Sequence, residues 1–229
     1  RNNIKSGITL VCDLGGGTFD ISLIKNDNDQ KITQVLASTG DVNLGGNDFT
    51  LNLYNFLIKD IKKQNPKFLL DIRAKILISE EAEKVKCALS TQESVEVNFP
   101  FLFTSDKVIF SYEAVITRKT FEKLNKDLFI RIKNILNNFY ADNHEICSEI
   151  NFVVAVGGSS RINHYQSIIK NITNKDILVN LNPDEIVAHG AALCAEIEEG
   201  TLTDTAIVDV TPLPLGTSII GDIFVPIIE

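Results

Sequence analysis

The chain has 229 residues, enough for one large domain or two small ones that share a core. Its 44% hydrophobic and 23% charged content is ordinary for a globular chain, and no apolar run approaches the ~20 residues of a membrane span. A net charge of −8 disfavours general binding to nucleic acid or anionic membrane, although backbone N–H groups can still build a local anion site.

Taken in chain order, Ile8 to Cys12 is a short apolar run that ends at Asp13, and Gly15-Gly16-Gly17 follows it. Phe19 to Ile24 alternates inward and outward, so strand, glycine turn and strand predict a hairpin. A third strand is predicted over Ile32 to Ser38, and the Gly45-Gly46 turn opens a helix with Phe49, Leu53, Phe56 and Leu57 on one face. A second helix is predicted over Ala74 to Ser90, followed by strand-like pieces at Val95 to Phe99 and Lys107 to Tyr112. Thr117 has the place of an N-cap for one long amphipathic helix through Phe121, Leu124, Leu128, Ile132 and Ile135. The apolar strand Phe152 to Val156 runs into Gly157-Gly158-Ser159-Ser160, with a helix expected from Arg161 and a short strand over Asp176 to Val179. Pro183 stands at the start of a helix reaching about Glu198, Thr201 to Asp204 is a polar connection, and a β-rich unit is expected from Ile207. Together these elements predict an α/β core from residues 1–40 and 145–200, with a helical and β subdomain, 41–144, inserted in it.

The four cysteines, Cys12, Cys87, Cys147 and Cys194, lie far apart without C-x-x-C or Cys/His spacing, which points to a reducing compartment and no structural zinc. The chain opens at Arg1 and has no Met, and a buried strand is predicted a few residues in. It is therefore expected to begin mid-protein, with any targeting segment upstream.

The stretch Asp13-Leu14-Gly15-Gly16-Gly17-Thr18-Phe19-Asp20 carries the most chemical information. Backbone N–H groups must come close to a polyphosphate, and residues without a Cβ let them do so. Gly15, Gly16 and Gly17 fit that use, with the Thr18 hydroxyl as a further donor. Asp13, at a strand end, is placed to hold hydrated Mg²⁺ or to orient a water. The spacing is not that of G-x-x-x-x-G-K-[ST], and a plain glycine turn flanked by solvent-facing Asp is the competing reading.

This octapeptide resembles the second phosphate-binding motif of the 70-kDa heat-shock chaperone family (DnaK-type), within the wider actin and sugar-kinase superfamily. The resemblance implies an actin-like, ribonuclease H-like ATPase lobe. It makes Asp13 and Thr18 catalytic candidates, and Asp13 and Asp20 the metal candidates. Val156 to Ile162 is similar to the family's adenosine motif, which carries over Gly157, Gly158, Ser159 and Arg161 as nucleoside contacts. Glu83, Lys86, Cys87 and Ser90 share a helix face that by itself reads as a solvated one. The resemblance instead assigns Glu83, Lys86 and Ser90 to the ribose and adenine, with Cys87 standing where family members often have Arg. Asn182-Pro183-Asp184-Glu185 with Gly190-Ala191-Ala192 matches a further signature, in which small residues let the helix pack on the sheet. Asp184 there caps that helix or reaches the site through water.

Actins and sugar kinases share the architecture, so two other segments separate the possibilities. Leu44 to Phe49 resembles the chaperone-specific entry to the inserted subdomain, with Asn47 where Glu is common. Asp209 to Gly216 resembles the junction between linker and peptide-binding domain. The implied layout is an interdomain linker over 201–216 and the start of a peptide-binding domain over 217–229, with the first ATPase lobe outside this chain. The implied cofactors are ATP/ADP, Mg²⁺ and K⁺. The implied partners are a J-domain co-chaperone, a nucleotide exchange factor and unfolded polypeptide, with neither nucleic acid nor membrane, in the cytoplasm. Two alternatives are a nucleotide-binding scaffold without useful turnover, suggested by Cys87 and a linker less apolar than usual, and a small-molecule kinase lobe, which Asp209 to Gly216 argues against.

Overall fold

A computed structural model describes residues 6–105, 108–178, 182, 185–202, 205–209, 215–221 and 223–228. Alternating apolar residues make β1 (Gly7–Leu14), which turns Leu10, Cys12 and Leu14 into the core. The glycine turn returns the chain as β2 (Phe19–Asp27), antiparallel to β1 with Asp13 opposite Asp20 and Leu14 opposite Phe19. β3 (Ile32–Asp41) continues the antiparallel run.

In α1 (Gly46–Gln64), Phe49, Leu53, Leu57 and Ile61 recur every fourth residue and are buried, while Asp48 closes the start by accepting from the Gly45 N–H at 2.8 Å. α2 (Ile72–Ala88) is capped by Asp71, whose carboxylate accepts from the Ala74 N–H at 2.7 Å. β4 (Ser94–Ser105) and β5 (Val108–Thr117) form a separate antiparallel pair, longer than the sequence pattern suggested; Lys107 lies outside the described residues.

Thr117 caps a helix as expected, its hydroxyl accepting from the Thr120 N–H at 3.1 Å, but the long helix is divided. Its parts are α3 (Arg118–Leu124) and α4 (Lys126–Asp142). The division falls at Asn125, which is fully buried: its Nδ2 donates to the Phe121 carbonyl at 2.9 Å and its Oδ1 accepts from Asn52 at 3.0 Å. A side-chain amide that bonds the carbonyl four residues back competes with the helix ladder.

After α5 (His144–Ser148), β6 (Ile150–Val156) lies parallel to β1. The turn that follows is a 3₁₀ segment, Gly158–Arg161, so the helix expected from Arg161 starts later, as α6 (Asn163–Thr173). β7 (Ile177–Leu178) adds parallel to β6.

α7 (Ile186–Glu198) departs from expectation. None of its residues is buried, and a Cβ on Gly190 would find no neighbour within 4 Å, so its small residues pack on nothing described. Apolar residues ring this helix instead of forming one stripe, and no single face directs it onto the sheet. β8 (Ala206–Val208) then joins the sheet edge parallel to β3, pairing Ile207 with Thr33, and completes the order β7-β6-β1-β2-β3-β8. β9 (Leu215–Ile219) and β10 (Ile223–Ile228) form a hairpin of their own. The α/β class is the one the sequence predicted.

Candidate functional site

The glycine hairpin closes with the Gly15 N–H donating to the Thr18 carbonyl at 3.0 Å. Its carbonyls are held from the far side. The Gly46 N–H and the Ser159 hydroxyl both donate to the Gly15 carbonyl, at 2.9 and 3.1 Å, and the Asn47 N–H donates to the Gly16 carbonyl at 2.8 Å. Among the described residues, the N–H groups of Gly16 and Gly17 meet no acceptor, and both residues are exposed. The peptide dipoles are thereby set with their donors outward, which is what an anion requires.

Two close approaches fix this geometry. A Cβ on Gly45 would lie 2.5 Å from the Gly17 nitrogen and 2.6 Å from the Gly16 carbonyl, so the α1 entry must be glycine. Gly157 has φ +81°, and a Cβ there would meet the Leu14 carbonyl at 2.4 Å and Asp13 Oδ1 at 2.5 Å. The Gly157 turn therefore lies against the end of β1, beside Asp13.

Asp13 and Asp20 face one another across the hairpin. Partial burial, and then the charge of Asp20, push the Asp13 carboxyl above its ordinary range. Two carboxylates in repulsion beside exposed N–H donors fit a hydrated divalent cation shared with a polyphosphate, since Mg²⁺ commonly takes one or two carboxylates and keeps its waters. No cluster of three or more metal-ligating side chains occurs among the described residues, so a cation here would rest on this pair and its waters.

The opposite wall is α2. Lys86 is buried and donates to Glu83 at 2.7 Å and to the Gly46 carbonyl at 3.1 Å. Glu83 also accepts from Thr50 at 2.5 Å and from the Cys87 thiol at 3.4 Å. Burial raises the Glu83 pKa, but the bonds from Lys86 and Thr50 together with the Lys86 charge outweigh that and hold it below its ordinary range. Burial, with Glu83 beside it, pushes the exposed Cys87 thiol up, while the charges of Lys86 and Arg161 pull the other way. Gly46 is approached from both sides: a Cβ there would lie 2.2 Å from Ser159 Oγ and 3.2 Å from Lys86 Nζ. Ser90 lies just past the end of α2, with its N–H on the Cys87 carbonyl at 3.1 Å. It lines a crevice with Lys86, Arg118 and Ile162 whose volume of about 10 Å³ holds at most one water.

The structure thus brings Gly15, Gly16, Gly17, Thr18, Asp13 and Asp20 together at the hairpin, with the Gly157, Gly158, Ser159 and Arg161 turn beside it and Lys86, paired with Glu83, tied to it through Gly46, while Cys87 follows Glu83 on α2 and Ser90 lines the crevice with Arg118 and Ile162. Ser159 is buried, and its hydroxyl ties the hairpin in place. Asp184 lies outside the described residues. Sequence reasoning did not assign Gly45, Gly46 and Thr50 to the site, although the glycine pair directly before an amphipathic helix was a visible signal. Among the described residues the buried Tyr165 hydroxyl has no hydrogen-bond partner, and its surroundings include Cys12 and Asp13.

A family model described as Hsp70 protein matches residues 1–229. The chain is 42% identical over 221 residues to the chaperone protein dnaK of Trieres chinensis, an alignment covering 96% of this chain and 36% of that protein. It is 40% identical to the chaperone protein dnaK of Thalassiosira pseudonana, with the same coverage. It is 37% identical to the chaperone protein DnaK of Metamycoplasma hominis, covering 96% of this chain and 37% of that one. The chain spans about a third of the length of the curated relatives it matches.

Proposed function

The chain belongs to the Hsp70 protein family, whose actin-like ATPase fold its mixed sheet matches, and from that membership we propose that it is the second, adenine-nucleotide-binding lobe of an ATP-driven chaperone. The observation that carries this reading is the orientation of the hairpin: its carbonyls are tied to Gly46, Asn47 and Ser159, and the Gly16 and Gly17 N–H groups point away from those ties, next to the Asp13–Asp20 pair. Asp13 and Asp20 would hold Mg²⁺ through its waters, and the ion would neutralise phosphate charge. Thr18 would add a hydroxyl donor at the same end. Arg161 and the exposed edge of α2 at Glu83 and Cys87 would receive the nucleoside of ATP or ADP, while Lys86 fixes that wall from within. K⁺ would have its place beside the same carboxylates.

Residues 201–216 act in this account as an interdomain linker, and 217–229 as the start of a peptide-binding domain. The pairing of Ala206–Val208 along β3 supports the first part, because it gives the connection a docked position on the sheet edge. Coupling of this kind would serve a J-domain co-chaperone, a nucleotide exchange factor and unfolded polypeptide. All four cysteines are free, and no described helix is long and apolar enough to cross a membrane.

Hydrolysis would need groups from a first lobe as well, since in-line phosphoryl transfer requires positioning from both sides. A thermal-shift titration of this chain with ADP and Mg²⁺, run beside a phosphate-release assay, tests the reading. Stabilisation by ADP with no phosphate release from ATP is expected. No stabilisation at millimolar ADP, or turnover by this chain alone, would overturn it.

A further inference from the structure

The chain carries a net charge of −8, yet one cleft is lined by four lysines. Lys119 and Lys123 come from α3, and Lys126 and Lys133 from α4. Their offsets of 4, 7 and 14 residues keep them on one side of the divided helix. The opposite bank is α6, and the space between holds about 490 Å³. All four lysines are exposed, and none is in an ion pair among the described residues. The cleft contains a single acid, Glu122, so four positive charges less one negative leave an excess of +3.

The floor is of another character. Phe129 and Ile168 are buried at its base, with Ile172 partly buried beside them, and Ile130 is an exposed apolar residue, 45% accessible. The His164 ring stands edge-on to Phe129 at 4.5 Å and closes one end. An apolar floor under a rim of one charge marks an interaction surface. Neither the hairpin nor the nucleoside wall makes use of it.

We propose that this cleft is a docking groove for an acidic amphipathic helix of a partner protein. Charge complementarity decides the occupant: carboxylates meet the lysine rim while Leu- or Phe-type side chains settle on the Phe129 and Ile168 floor. A nucleic acid suits it less well. No Arg lines the cleft, its Phe129 ring is buried, the His164 ring is engaged edge-on with Phe129, and the chain's net charge of −8 repels phosphate. The proposal does not depend on the nucleotide reading.

The test is fluorescence anisotropy with the full chain and a labelled synthetic helix carrying Leu and Glu at helical spacing. The same helix with every Glu replaced by Lys, and a labelled single-stranded oligonucleotide, are the comparison probes. The acidic helix is expected to bind, the basic one not to, and affinity should fall with salt. Lys123→Glu combined with Lys126→Glu should weaken binding by about tenfold or more. Ile130→Gln should weaken it several-fold, and because all three side chains are exposed, circular dichroism should report an unchanged fold. Equal affinity of wild type and the double reversal, indifference to Ile130→Gln, or preference for the oligonucleotide would each overturn the proposal.

Discussion

Lys86 donates to the carbonyl of Gly46 at 3.1 Å, and Gly46 in turn donates its own N–H to the carbonyl of Gly15 at 2.9 Å. A single buried cation on α2 therefore holds the first turn of α1, and that turn holds the glycine hairpin. α2, α1 and the β1–β2 hairpin are joined through this relay.

Lys86→Met keeps the volume of the stem and removes the donor, leaving the Gly46 carbonyl short of one bond. A buried hydrogen bond to a charged group contributes about 2 kcal/mol. The urea midpoint should fall accordingly, and ADP affinity should fall with it because the hairpin is no longer anchored. Unchanged midpoint and affinity would show that the relay is incidental.

Asp13 and Glu83 respond to acid in opposite directions. The folded-state pKa of Asp13 lies above its unfolded value, so its charge costs stability at neutral pH, and protonation on acidification relieves the cost. That of Glu83 lies below its unfolded value, so its contribution is present above about pH 4 and is lost as pH falls through the folded value. Asp13→Asn should accordingly raise the melting temperature of the nucleotide-free chain at pH 7. In the complete chaperone the same change should lower single-turnover hydrolysis by ~10²–10³. A lower melting temperature, or hydrolysis within threefold of wild type, would contradict the assignment.

Elements set by local pattern were legible in the sequence. The hairpin follows from an apolar run, three glycines and an alternating strand, and α1 from the apolar face of Phe49, Leu53, Phe56 and Leu57, which the structure extends to Ile61. Features that depend on partners far along the chain were not legible. Ser159 reaches Gly15 across 144 positions, and Asn125 divides the α3–α4 run through a bond to Asn52, 73 positions away. Neither partner leaves a trace in periodicity. The packing of α7 on the sheet came from the resemblance and not from local pattern: its apolar residues form no single stripe that would name the surface to cover it.

In the proposed function Cys87 lines the nucleoside wall, at a position where the resemblance to the family implies Arg. Cys87→Arg should tighten ADP binding by up to about tenfold, from a stacking or cation–π contact of ~1 kcal/mol. Calorimetry would read this directly. No change would mean that the base does not lie against this part of α2.

The central claim is that the exposed Gly16 and Gly17 N–H groups receive the phosphates of the nucleotide. Backbone amide NMR of the isotopically labelled chain, titrated with ADP and Mg²⁺, observes those groups themselves. The account predicts that the Gly16 and Gly17 amide signals move most, with Gly157, Gly158 and the α2 face around Cys87 following. Saturation by ADP with the Gly16 and Gly17 signals unmoved would place the nucleotide elsewhere and contradict it.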